Sequence, residues 1–409
     1  MGELTHRERV LLALNHEEPD RVPIDFGAMR STGIHVSAYL KLKEHLGMEA
    51  GRPKVYDLMQ MLAEPEKGVS ELFGADVVQL HLLRPAFGVP IDSWKGGELP
   101  GGERCLYPAQ FEPIENEKGD MEIVSEGRPL ARMPKEGFWF DFADFPLAEA
   151  SSKKDIDAYP FYEIDEGEIA FLKQQVRQLK REYPDHAVLG AFMGSVFEQG
   201  MYAFGFERYL TLLIESPQLI EYFSERAAEA HIRSLRTYFD AVGEVVDIIH
   251  MGDDLGTQNG PYISPRLYRQ MIKPYHKRIY SEIHRLNPTV RLFLHSCGSV
   301  YDLIPDFIEI GVDVLNPVQT TANKMDPQTL KREFGKNIVF WGGGVETQRV
   351  LLFGTPEEVR AQVRERLRIL GPGGGFVFNQ IHNILPEIPP RNIFAAYDEA
   401  LKSGKYPLQ

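Results

Sequence analysis

Cysteine is nearly missing from this chain: Cys105 and Cys297 are the only two in 409 residues. So far apart, they build no disulfide framework, and a reducing cytoplasm is the expected location. Long apolar runs are also lacking. No stretch approaches the length of a membrane span, and the start, Met1 to Arg9, is polar without the apolar core of a secretory signal. Positive charge is short: 45 Lys and Arg against 59 Asp and Glu leave a formal charge of −14. That balance argues against nucleic acid, which needs a basic stripe, although a local site can still be basic on an acidic protein. No repeat of solenoid length is visible. Gly342-Gly-Gly344 lacks the spacing of a dinucleotide fingerprint.

What is present is an alternation. Short β-rich runs at residues 22–26, 76–80, 186–190, 245–249, 290–294, 312–315, 337–340 and 375–378 are separated mostly by helical patterns such as 265–286, 300–310 and 356–370. Strands alternating with helices imply parallel pairing through crossovers. Eight such runs predict an α/β chain folded as one (β/α)8 TIM-type barrel over 1–409, with its site at the C-terminal strand ends. Residues of about 85–162 break the rhythm. They are rich in Gly, Pro and aromatics, Phe138 to Phe142 above all, and predict a β-rich insertion between strands two and three that caps the mouth. Its aromatics are expected to pack the insertion onto the barrel, with direct substrate contact as the alternative.

The most informative segment is Arg291-Leu-Phe-Leu-His295-Ser-Cys297-Gly-Ser. Residues i and i+2 of a strand share a face, so His295 and Cys297 can share a target. As metal ligands they offer a nitrogen and a thiolate, a set that suits zinc, with His382 at the end of the last strand as the natural third ligand. A thiolate nucleophile with His295 as its base is a second reading. A buried thiol beside a hydrogen-bonded imidazole is a third. Other strand ends supply Arg30, His250, Asp253, Asp254, Gln258, Asn316, Gln319 and Asn379. His250, Asp253 and Asp254 are candidate catalytic groups, and the others candidate substrate contacts. Adjacent strand residues face opposite ways, so one of Asp253 and Asp254 is expected in the mouth. Helix capping is not their expected duty, because the next helix carries its own Ser264 cap and Pro265. The glycines at 342–344 either bring backbone close to a ligand or neighbour, or make a plain turn.

Several motifs together resemble the uroporphyrinogen decarboxylase superfamily: Leu292 to Gly298, Val314-Leu-Asn316-Pro, Gly342 to Gly344, His382 to Asn392, and the opening Glu8 to Pro23. The resemblance implies a (β/α)8 barrel. One branch decarboxylates uroporphyrinogen, with an Arg-Gln-Ala-Gly-Arg run holding substrate carboxylates. Here that place reads Phe26-Gly-Ala-Met-Arg30, so at most one of those arginines is kept. The other branch contains corrinoid-dependent methyltransferases, such as methylcobamide:coenzyme M methyltransferases, which hold zinc through His-x-Cys and a later Cys. This chain keeps His295-x-Cys297 and has His382 where the later Cys would lie. The expected activity is therefore zinc-assisted methyl transfer between a small substrate and a cobamide on a separate corrinoid protein. A cofactor-independent decarboxylase of a small carboxylic acid is the alternative, and a non-catalytic ligand-binding barrel is the third reading. A homodimer is a common arrangement for such a soluble enzyme.

Overall fold

The computed structural model describes residues 4–99, 101–125, 127–192 and 194–408. A short antiparallel pair, β1 (Val55–Asp57) and β2 (Leu62–Ala63), precedes the first long barrel strand, β3 (Val77–Leu80). The insertion follows as two antiparallel sheets. One pairs β4 (Trp94–Glu98) with β5 (Arg104–Pro108); the other orders β6 (Ile114–Glu115), β7 (Met121–Ser125), β8 (Arg128–Met133) and β9 (Asp141–Phe142) as a meander. The barrel then resumes with β10 (Ala187–Ala191), β11 (Ile248–Gly252), β12 (Arg291–His295), β13 (Val314–Asn316), β14 (Val339–Trp341) and β15 (Phe376–Val377). These six and β3 form one seven-stranded sheet, parallel at every pairing, in the order β15-β14-β13-β12-β11-β10-β3.

The run expected at 22–26 closes this sheet without forming a regular ladder. Ile24 makes a parallel bridge to Phe378, and Asp76 N–H donates to the Ile24 carbonyl at 2.8 Å. The break has two local causes. Pro23 has no N–H to give, and the Ile24 N–H donates to the Asp76 carboxylate instead of a strand carbonyl. The barrel expected from the sequence is therefore present, its eighth staff being this bridged segment.

Inward-facing residues fill the barrel. Val77, Leu189, Ile248, Phe293, Val339 and Trp341 are all buried in one cluster, with Phe293 set edge-on to Trp341 at 5.3 Å. Because Phe293 points inward, His295 two residues on must point inward as well. The insertion leans on the mouth side of this core. The Phe140 N–H donates to the Met59 carbonyl at 2.7 Å, and Phe142 packs on Tyr202 at 4.7 Å. Trp139 stays 43 % exposed while Phe140 is buried, so the aromatic run packs the insertion only in part.

At the opposite end, Asp76 is fully buried and gathers two guanidinium groups and an imidazole. Arg9, Arg21 and His6 approach it at 2.8, 2.7 and 2.7 Å. Burial pushes this carboxyl up, but His6, Arg21 and Arg9 prevail and hold it below the usual carboxylate range. A depressed carboxylate contributes stability above about pH 4, which is lost as the pH falls through its folded value. Asp76→Ala leaves Arg9 buried without this partner and should cost about 3–5 kcal/mol, read as a lower denaturant midpoint at neutral pH. A midpoint within experimental error of the parent would refute this role.

Candidate metal and substrate site

Three ligand atoms converge at the C-terminal mouth. One from each of His295, Cys297 and His382 lies within 4.8 Å of the others, and Cys297 Sγ stands 3.2 Å from His295 Nε2. Strand β12 ends at His295, so Cys297 sits two residues past the ladder. A close backbone contact holds it there. A Cβ on Gly298 would come 2.5 Å from the Gly256 carbonyl carbon, and Gly298 has φ +81°. Ser299 N–H donates to the Thr257 carbonyl at 2.7 Å, joining the loops after β11 and β12.

Asn316 decides which imidazole nitrogen is free. Its Nδ2 donates to the Trp341 carbonyl at 2.9 Å, which turns Oδ1 toward His295 Nδ1 at 2.6 Å. Nδ1 must then carry the proton, leaving the Nε2 lone pair facing Cys297. Burial first and His295 second lower the His382 pKa to about 4, so that ring is neutral near pH 7 and can also ligate. Bonds of about 2.0–2.3 Å to one zinc require ligand atoms about 3.3–3.8 Å apart. The His-Cys-His set meets that requirement with sub-ångström to ångström side-chain shifts, and its chemistry fits zinc.

The nucleophile reading gains little. Burial, then Asp254 and Glu198, push the Cys297 thiol well above its ordinary value, whereas a reactive thiolate needs an electropositive setting. A bound divalent cation reverses that local preference.

The two adjacent aspartates have different fates. Asp254 enters the mouth, where Oδ1 accepts the Cys297 N–H at 2.6 Å and lies 3.7 Å from His295 Nε2. Asp253 does not. It is fully buried, and its carboxylate accepts N–H groups of Val196, Phe197 and Glu198 at 3.0, 2.9 and 2.7 Å, with His276 Nε2 at 2.7 Å. It caps the helix Phe197–Phe204 from another strand, a long-range capping role that replaces the catalytic one expected from sequence.

Among the other candidates, His250 is 4 % exposed and its Nε2 has no hydrogen-bond partner. Burial, with His295 and Arg30 nearby, lowers its pKa to about 3. Arg30, expected as a substrate contact, is at the mouth and is hydrogen-bonded to the Asp57 carboxylate and the Pro85 carbonyl. Gln319 accepts the Gly298 N–H at 2.8 Å and, with His382, lines a cavity of about 480 Å³. Asn379 is fully buried behind Gly342, where a Cβ would come 2.8 Å from its side-chain amide. It supports backbone packing and is not a substrate contact. The glycines at 342–344 thus serve close approach, with φ +92° at Gly342 and +80° at Gly343. Gln258 is exposed, and its carbonyl accepts the Asn323 N–H at 2.9 Å.

Glu198, which follows the third barrel strand, is a further acid at the mouth that the motifs do not single out. It meets Tyr202 Oη at 3.0 Å, and burial, Asp254 and Asp253 push its pKa well above the usual range. The available sequence signal was its place after a strand end.

Residues 144–402 match the family model described as Uroporphyrinogen decarboxylase (URO-D). The chain belongs to this family. It is similar to the uroporphyrinogen decarboxylase of Nostoc punctiforme, 22% identical over 98% of this chain and 97% of that protein. The Thermus thermophilus enzyme of the same name is 23% identical over 94% of each. Among solved structures, a methyltransferase from Methanosarcina mazei superposes with a TM-score of 0.63, covering 98% of this chain and 99% of that one at 19% identity. At that identity the likeness supports the fold alone. The family is one of enzymes, and among the described residues no helix is long and apolar enough to cross a membrane.

The aspartates can be separated experimentally. Asp253→Ala strips a buried cap and should lower unfolding free energy by about 2–5 kcal/mol. Asp254→Ala should leave the thermal midpoint nearly unchanged while reducing turnover by roughly tenfold or more. Equal destabilisation by both would assign Asp254 a structural duty instead.

Proposed function

We propose that this chain is a corrinoid-linked methyltransferase, assisted by zinc, that moves a methyl group between a small substrate and a cobamide on a separate protein. The observation that carries this reading is the convergence of His295, Cys297 and His382 within 4.8 Å. The Asn316 clamp on His295 adds support, since catalytic metal histidines commonly have their second nitrogen held by such a partner. His295 Nε2, Cys297 Sγ and His382 would hold the metal. Bound there with an open position, zinc would act as a Lewis acid toward a substrate heteroatom.

The chain's own groups would orient the substrate. Gln319 holds the Gly298 turn and lines the 480 Å³ cavity that reaches His382. Asp254 fixes the Cys297 backbone from the other side. His250, neutral and with an unpartnered Nε2, can give or take one hydrogen bond from a bound molecule. The decarboxylase alternative draws on the names of the sequence relatives. It is less favoured because Arg30, the one retained arginine of the expected carboxylate clamp, is already neutralised by Asp57.

Metal analysis of protein purified without added metal tests the reading. About one zinc per chain is expected. Cys297→Ser should lose most of it, because a hydroxyl replaces a thiolate poorly, while His382→Cys should retain it. The loaded protein should transfer methyl to cob(I)alamin from one of a panel of thioether, methoxy and methylamine donors. Metal-free protein that decarboxylates a small acid at full rate would overturn the proposal.

A further inference from the structure

A second cavity, of about 630 Å³, lies within the insertion, and none of His295, Cys297 and His382 lines it. Its walls come from both antiparallel sheets. Tyr107 of β5 belongs to one, Met121 of β7 and Met133 of β8 to the other, and Phe111 to the link between them. Met61 and Phe140 close the side that meets the β1–β2 hairpin, where the Phe140 N–H holds the Met59 carbonyl. Strand β4 adds Gly97, and a Cβ there would stand 2.4 Å from the Tyr107 ring, so glycine is what lets that ring lie across the strand. A smaller chamber of about 250 Å³ adjoins through Met61, Leu99 and Met133 and ends at Pro386. Leu385 and Glu387 line the mouth cavity instead, so segment 385–387 divides the insertion chambers from the mouth.

The interior is apolar and already shaped. Met61, Phe111, Met133 and Phe140 are all buried although they line an open space. Tyr107 tilts against Phe111 at 5.1 Å, and Phe111 meets Phe140 edge-on at 6.1 Å, so the rings make one continuous run. Met61 is held at φ +54°, a left-handed conformation that residues with side chains seldom adopt and that persists only where the surroundings impose it. Among the described residues, no Asn, Gln, Ser or Thr lines the space. Its charges stand at the rim: Lys95 pairs with Glu112 at 2.5 Å, and Glu98, Glu115 and Lys135 are exposed. Two lysines against three glutamates give an anion no advantage. Apolar voids stay dry and accept apolar guests, and ligand pockets with such walls commonly measure about 300–1,000 Å³. Methionine sulfur and aromatic edges both favour contact with a flat π-system.

We propose that the insertion is a binding site for a neutral, flat aromatic molecule of two or more fused rings, held between the methionines Met61, Met121 and Met133 and the ring run Tyr107–Phe111–Phe140. Its polar substituents would lie at the rim, where water and the exposed charges can meet them. The site is separate from the candidate metal centre and goes beyond the methyl-transfer reading, on which it does not depend.

The test titrates the full chain with the neutral naphthalene probe 6-propionyl-2-dimethylaminonaphthalene and follows its emission. Saturable binding of about one equivalent is expected at probe concentrations below about 200 μM, with the emission shifted to the blue. The planar competitor 2-naphthol should displace it at least roughly fivefold more effectively than the puckered decahydro-2-naphthol. Met121→Trp fills the chamber and should weaken the probe about tenfold or more, while Met121→Ala, which obstructs nothing, should stay within about threefold of the parent. Leu352→Trp, in the mouth cavity, should leave binding unchanged. A diazirine-bearing naphthalene should label peptides within 95–140, a readout that needs no variant to fold. Absence of saturable binding, full binding by Met121→Trp, equal displacement by the two competitors, loss of binding in Leu352→Trp, or labelling confined to other peptides would overturn the assignment.

Discussion

The amide of Asn316 carries more of this site than its size suggests. It is held at one end by the Trp341 carbonyl, which turns its oxygen toward His295 Nδ1. That single orientation fixes the imidazole tautomer and presents Nε2 to Cys297. Ser31 Oγ donates to the same oxygen at 3.2 Å, bringing the segment after the irregular first staff into the arrangement. Because Asn316 is fully buried, a wrong rotamer would leave both amide groups unsatisfied at a cost of about 1–3 kcal/mol each. The ligand geometry is therefore set by a neighbouring strand before any ligand arrives.

Electrostatics at the mouth follow from how the barrel spends its charged groups. Arg30 is consumed by Asp57, and Asp253 by three amides and His276. Among the described residues no lysine or arginine nitrogen comes within 4.0 Å of Asp254 or Glu198, and burial first, with Asp254 second, pushes the Glu198 carboxyl well above the usual range. A chain built to grip a polycarboxylate would leave guanidinium groups free at this place. Here the one arginine at the mouth is already paired with Asp57. Family membership therefore fixes the scaffold and leaves the ligand to these local charges.

Much of the scaffold was legible in the sequence. Strand runs read at 186–190 and 290–294 appear at Ala187–Ala191 and Arg291–His295, because short β-branched and apolar runs bounded by turn residues have few other stable uses. The run at 245–249 was displaced: Gly243–Val245 forms a 3-10 turn and the strand begins at Ile248. Asp247 explains the shift, since its carboxylate takes the Val188 N–H at 3.0 Å just below the ladder. The irregular first staff was also hidden, because the diversion of the Ile24 N–H depends on Asp76, 52 residues away.

The candidate site was legible for the same reason and illegible for a related one. Two-residue spacing placed His295 inward with Phe293, and strand-end placement brought His382 near it. Spacing alone cannot say what a side chain does once it has arrived. Asp253 and Asp254 are neighbours with the same chemistry, yet one caps a helix and the other faces the opening. The difference is whether N–H donors from another element arrive first. A buried carboxylate that can collect three amide hydrogens will do so, since leaving it unpaired would cost several kcal/mol. Its neighbour, turned to the opposite side of the backbone, meets the Cys297 N–H and the His295 imidazole. It therefore stays at the opening, beside the three candidate ligand atoms.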